Sequence, residues 1–171
     1  MRIYAFFLFI FLSSCSSYDK YKYLNADLEI PSTLFQASYQ QTWSAVVGVM
    51  KKYDIELQNQ ETGVVKTKWM DNTKELNFSD AFGSSEKIKS ARFKLFVNVN
   101  EANRGNKMLT KVTVYKRQLV EHDFLHGWKE IKQEHGLEKV LLYRVSRLIK
   151  IDNYLKKIQE EKEAKELQEA L

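Results

Sequence analysis

An α+β fold is expected, with an antiparallel sheet of four to five strands packed against two helices in the order β-α-β-β-β-β-α. Three features carry that expectation. Two apolar stripes at helical spacing stand near the two ends of the body, four segments of alternating polar and apolar residues lie between them, and glycine-containing polar connections separate the segments. Strands joined by hairpins pair antiparallel, and without a regular strand–helix alternation there is no route to a parallel sheet. The arrangement is helix-grip-like.

Thr33-Leu34-Phe35-Gln36-Ala37 reads as a short edge strand. Ser38, followed three residues later by Gln41, offers a capping box, and Tyr39, Trp43, Val46, Val47 and Met50 recur at helical spacing. A helix from Tyr39 to Tyr53 follows, with Gln40, Ser44, Lys51 and Lys52 facing water. Asp54–Gln58 and Val65–Trp69 both alternate, and the turn between them ends at Gly63, which is free to take positive φ. Arg92–Val99 places Phe93, Leu95, Val97 and Val99 on one face. Met108–Tyr115 does the same with Met108, Thr110, Val112 and Val114. The stripe Leu137, Val140, Leu141, Val145, Leu148 and Ile149 continues toward Leu155 as the second long helix. Beyond Lys156 the chain is mostly Glu, Lys, Gln, Ala and Leu and extends as a solvated helical tail.

With 171 residues and 44% hydrophobic content the chain sustains one domain, not two enzyme lobes. A charged fraction of 29% and a single proline rule against a proline-rich disordered chain and a multipass membrane protein. The net charge of +5 is spread along the length, so charge alone does not point to nucleic acid.

At the start, Arg2 precedes an unbroken apolar run from Ile3 to Leu12 that ends in Leu12-Ser13-Ser14-Cys15. As a helix the run spans roughly 15 Å, about half of a hydrocarbon core, so it reads as an export signal over Met1–Ser14 rather than a membrane crossing. Leu-Ser-Ser-Cys resembles the lipobox of bacterial lipoproteins. That resemblance implies diacylglyceryl and fatty-acyl (palmitate-type) modification of Cys15, which becomes the mature N-terminus and the lipidation site. Cys15 is the only cysteine, and acylation would remove an otherwise unpaired thiol. Ser16 after the cysteine, in place of aspartate, points by the same resemblance to the outer membrane. Residues 15–30 form a lipidated tether, 31–155 the folded domain and 156–171 the charged tail.

Thr42-Trp43-Ser44-Ala45-Val46-Val47-Gly48-Val49-Met50, then Thr62-Gly63-Val64-Val65-Lys66-Thr67-Lys68-Trp69, then the strands around Phe93 and Val112 form a pattern. It resembles the C-terminal helix-grip domain of the BamC family, lipoproteins of the bacterial outer-membrane β-barrel assembly machinery. The resemblance covers roughly Thr33–Leu155. BamC has two such domains and a long N-terminal extension that grips its partner lipoprotein, whereas this chain has one domain and a short tether, so that contact does not carry over. What the resemblance implies is a role beside other envelope proteins, among them that assembly machinery.

Catalytic chemistry finds little footing. His122, Asp123, His126 and His135 have spacings open to zinc, but no acid stands as in His-Glu-x-x-His, and solvated loop histidines explain them more simply. No nucleophile elbow, phosphate-cradling glycine loop or dinucleotide fingerprint occurs, so neither an enzyme nor a cofactor is expected. Two stretches suggest a partner surface instead. Basic and aromatic residues alternate through Lys66, Lys68 and Trp69 and again through Arg92, Lys94 and Phe96. Phe124, Leu125, Trp128 and Ile131 interrupt the polar segment Gln118–His135 at near-helical spacing, as a short amphipathic helix would, and either cap the open end of the core or form a docking patch. The expectation is a non-enzymatic outer-membrane lipoprotein facing the periplasm, bound to the bilayer through Cys15 and to envelope proteins through these residues, with no nucleic acid. The alternative is a periplasmic carrier holding a lipid or other apolar ligand between helix and sheet.

Overall fold

A computed structural model of the protein describes residues 30–80, 88–104, 107–131 and 135–169. Cys15, the apolar leader and nearly all of the tether lie outside the described residues. The elements run β1 (Ser32–Phe35), α1 (Tyr39–Met50), β2 (Ile55–Asn59), β3 (Val64–Thr67), β4 (Met70–Asp71), α2 (Thr73–Asp80), β5 (Ser90–Arg104), β6 (Lys107–Glu121), β7 (Lys129–Glu130) and α3 (Gly136–Glu169). The sheet is antiparallel throughout, in the order β1-β6-β5-β3-β2, with β4 beside β5 and β7 beside β6. The α+β class is therefore observed, with one helix and two very short strands more than the sequence suggested.

The axis of the sheet is the β5–β6 ribbon, paired in unbroken register from Ser90↔Glu121 to Arg104↔Lys107. Its alternation sorts the side chains. Ala91, Leu95, Val97 and Val99 of β5, with Thr110, Val112, Val114 and Val120 of β6, are buried toward the helices. Leu95, Val97, Val99, Val112 and Val114 pack with Trp43, Val46 and Met50 of α1 and Leu141, Leu142, Val145 and Ile149 of α3 in the main core.

The capping box forms by half. Gln41 N–H donates to Ser38 Oγ (3.2 Å), but the Gln41 amide reaches across to Asp152 Oδ2 and Asn153 Oδ1 on α3 (2.5 Å each), tying the two helices together. α1 ends at Met50 rather than Tyr53, where Lys51 donates its N–H back to Val47 O. In α3, Val140 and Leu148 stay exposed, and Leu142 and Glu138 take buried places instead, because the helix turns a slightly different face to the sheet.

Three short elements close the other end. β4, α2 and β7 surround a second cluster of Ile88, Ala91 and Val120, with Leu76 and Ile131 against it. Among the described residues of Gln118–His135 the expected short helix does not form. Gln118 and Val120 instead continue the β6 alternation, Gly127 takes φ +62 in the following turn, and Lys129–Glu130 pairs back onto Val120 and Leu119 as β7.

A polar seam separates the two clusters. Asn72 and Gln118 exchange side-chain amide hydrogen bonds (3.0 and 2.9 Å), both buried. Buried Glu138 accepts at Oε1 from the His135 ring (3.1 Å). Burial pushes the Lys116 ammonium below its ordinary pKa, against the opposing pull of Glu138 and Glu75.

Candidate functional site

Helices cover one side of the sheet; on the other side the alternate residues of β5 and β6 carry long cations and aromatic rings. The ladder sets them in rows: Arg92 opposite Leu119, Lys94 opposite Arg117, and Phe96 opposite Tyr115, with Lys66 of β3 beside Phe96. Directly facing pairs are close enough for their side chains to interact. Phe96 and Tyr115 rings are tilted at 6.1 Å, and Lys66 Nζ lies 5.9 Å from the Phe96 centroid.

The stretch Gly63–Trp69 builds one margin of this face, and three of its residues have separate tasks. A Cβ on Gly63, at φ +67, would stand 2.0 Å from Val99 O, so only glycine admits the close approach of β3 to β5 sealed by Val99 N–H donating to Gly63 O (2.8 Å). Thr67 Oγ1 accepts from Leu95 N–H (3.0 Å) where β3 leaves β5 and before β4 joins it. Past that gap the Trp69 ring lies on the open face, not in the core.

There it meets Arg92. The guanidinium carbon of Arg92 sits 4.9 Å from the Trp69 ring centroid and 4.2 Å from that of Trp128, which the turn before β7 delivers from the opposite edge. A guanidinium against indole faces is held by the ring quadrupoles without losing its charge. Arg92 Nε is buried with no hydrogen-bond partner among the described residues. The cations at the adjoining ladder positions are committed. Lys94, only 8% exposed, donates to Glu56 Oε2 and lies 5.3 Å from the Trp69 centroid; Lys66 donates to Glu56 Oε1 (3.1 Å); Arg117 Nε donates to Glu130 Oε2 (3.0 Å).

These contacts set the electrostatics. Hydrogen bonds from Lys94 and then Lys66 hold the Glu56 carboxyl below its ordinary pKa, and the Tyr115 hydroxyl, then Arg117, does the same for Glu130. Burial, aided by Glu130, raises the Tyr115 phenol. Arg92 alone among these four cations is clamped by rings rather than by a carboxylate, so its outward edge is the place where an incoming acceptor gains most.

No protein-family model matches the chain, and no curated protein matches it in sequence. The geometry therefore stands on its own residues.

Of the residues expected at a partner surface, Lys66, Arg92, Lys94 and Trp128 are brought onto this one face. Lys68 points into solvent in an ion pair with Asp54 (3.2 Å). Phe124 and Leu125 crown the adjoining turn and are 80% and 86% exposed. Among the described residues no three metal-ligating groups converge: His126 is tied to Asp123 (2.6 Å) and His135 to Glu138. Reading the sequence overlooked Tyr115, Glu56 and Glu130. The alternation of β6 carries the signal for Tyr115 and, two residues on, for Arg117; Glu56 sits at an irregularity between Ile55 and Leu57 that alternation does not reveal.

Proposed function

We propose that the chain is a non-enzymatic binding module of the bacterial cell envelope. It is exported, lipid-anchored through Cys15 at the outer membrane facing the periplasm, and acts as an accessory or scaffold in outer-membrane protein assembly. The observation that carries the binding role is the Trp69–Arg92–Trp128 stack on the open side of the sheet. Aromatic residues and arginine dominate the energetics of protein interfaces, and here both stand pre-ordered beside Phe96 and Tyr115. The anchor reading is supported by the leader and Leu-Ser-Ser-Cys, and the assembly role by the resemblance to the BamC family.

The carrier alternative needs space between helix and sheet. Trp43, Met50, Val65, Leu95, Val112 and Leu141 fill that interface as one cluster, which favours the binding module.

Crosslinked pull-down from membranes tests the proposal. Recovery of envelope proteins, reduced by Arg92→Glu, is the expected result. Recovery of none, together with normal outer-membrane barrel content after deletion of the chain, would count against it. Cys15→Ala tests the anchor separately and is expected to move the protein to the soluble fraction.

A further inference from the structure

The turn between β6 and β7 lies beside the open face but differs from it in chemistry. Asp123 Oδ1 accepts the N–H groups of Leu125 and His126 (2.8 Å each), and the His126 ring closes on the same carboxylate. These bonds, led by that from His126 N–H, hold the Asp123 carboxyl below its ordinary pKa. Gly127 at φ +62 then turns the chain toward Trp128. The result is an ordered turn whose tip presents two adjacent apolar side chains, Phe124 and Leu125, almost wholly to solvent. Presenting such groups on a braced turn leaves apolar surface in water that the fold makes no effort to hide.

A cation stands beside the tip. Lys89 Nζ lies 5.9 Å from the Phe124 centroid, and Trp128, 39% exposed, covers Arg92. An exposed apolar tip with an indole and an ammonium close by combines the groups that suit acyl chains, the interface and lipid phosphates. Of the nearby carboxylates, Asp123 is engaged within the turn and Glu130 with Arg117 and Tyr115.

Chain direction agrees. β1 pairs with the same edge of β6 as β7, and Pro31 O accepts from Val114 N–H, so the described chain enters from the β7 side of that edge.

We propose that the Phe124–Leu125 turn inserts into the surface of the phospholipid leaflet, with Trp128 at the headgroup level and Lys89 taking lipid phosphate. The inference rests on the reading of the chain as a bilayer-anchored protein and adds a second, non-covalent foothold that orients the open sheet face relative to the membrane.

The test uses the full chain, purified from membranes and reconstituted into phosphatidylethanolamine–phosphatidylglycerol vesicles with or without brominated acyl chains. Bromine quenches indole emission only at close range. The expected result is loss of emission in brominated vesicles that disappears in Trp128→Phe and in the double variant Phe124→Ser, Leu125→Ser, while all forms still float with the vesicles. Both serine changes lie at exposed positions, so folding is preserved and is checked by circular dichroism. Equal emission with and without bromine, or quenching untouched by the double variant, would overturn the proposal. A photo-crosslinking side chain at position 125 that captured a protein instead of lipid would also overturn it. Those results leave the pull-down standing; failure to float at all would sink the anchor as well.

Discussion

Gly63 shows how much a single residue decides. Its positive φ and the contact with Val99 O belong to one geometry, so alanine there incurs both backbone strain of about 1–2 kcal/mol and a clash with main chain that has no free direction to yield. Gly127 has a similar φ but nothing within 4 Å of an added Cβ. Thermal unfolding should therefore show Gly63→Ala falling well below Gly127→Ala, and equal melting temperatures would refute the close-approach argument. The glycine itself was legible from the sequence as a turn residue; that its missing side chain makes room for a carbonyl was not, because the carbonyl lies in a strand remote in sequence.

Glu56 offers a residue-level test by pH. Its carboxyl is held below the ordinary value of 4.5 by the fold, so the stabilisation is present above that value and is lost as pH falls through the lower folded value. Urea unfolding in the acid range should show Glu56→Gln losing less stability than the parent on acidification, with parallel curves above about pH 6. Parallel curves throughout would mean that Lys66 and Lys94 do not hold the carboxylate in solution.

Among the elements, β3 and β4 share one strand partner and hand it over at Thr67. The hydroxyl satisfies Leu95 N–H and donates to Lys68 O (2.9 Å), so the ladder changes neighbours without leaving a buried donor unpaired. Thr67→Val keeps the shape and removes the acceptor, at an expected cost of about 1–3 kcal/mol. A urea midpoint unchanged from the parent would rule out that role.

Periodicity made most elements legible. α1, β2, β3 and the body of α3 announce themselves through Trp43–Met50, through alternation around Gly63, and through Leu141–Ile149. The pieces that escaped are those too short to have a period: β4 and β7 have two residues each, and the Thr73–Asp80 helix offers Leu76 as its only side chain in a described core cluster. Helical spacing in Gln118–His135 misled because the four apolar residues serve different places: Phe124 and Leu125 stand exposed in a turn, Trp128 lies on Arg92, and Ile131 packs on the second cluster after β7. The candidate face was half legible. Lys66, Arg92 and Lys94 were visible as alternating cations, but the meeting of Trp69 with Trp128 depends on the ladder that sets β4 and β7 on opposite sides of the ribbon.

For the whole molecule, the polar seam of Asn72, Gln118 and Glu138 divides the helix side into a large cluster and a small one. The small cluster is closed by short elements with few apolar contacts and should open more readily. Hydrogen exchange is expected to be slowest for β5 and β6 amides near Val97 and Val114 and measurably faster at Asn72, Leu76 and Ile131. Uniform protection across the seam would show a single cooperative body instead.

The continuous pairing of β5 with β6 bears on the order of assembly. A ladder that zips away from its own turn closes only a small loop at each step, whereas β1 must pair Ser32 with Thr113, a partner remote in sequence. The ribbon is thus the natural nucleus and the flanking strands late arrivals: Val97→Ala should chiefly slow refolding, Phe35→Ala should chiefly hasten unfolding, and stopped-flow chevrons with those arms reversed would place the nucleus elsewhere.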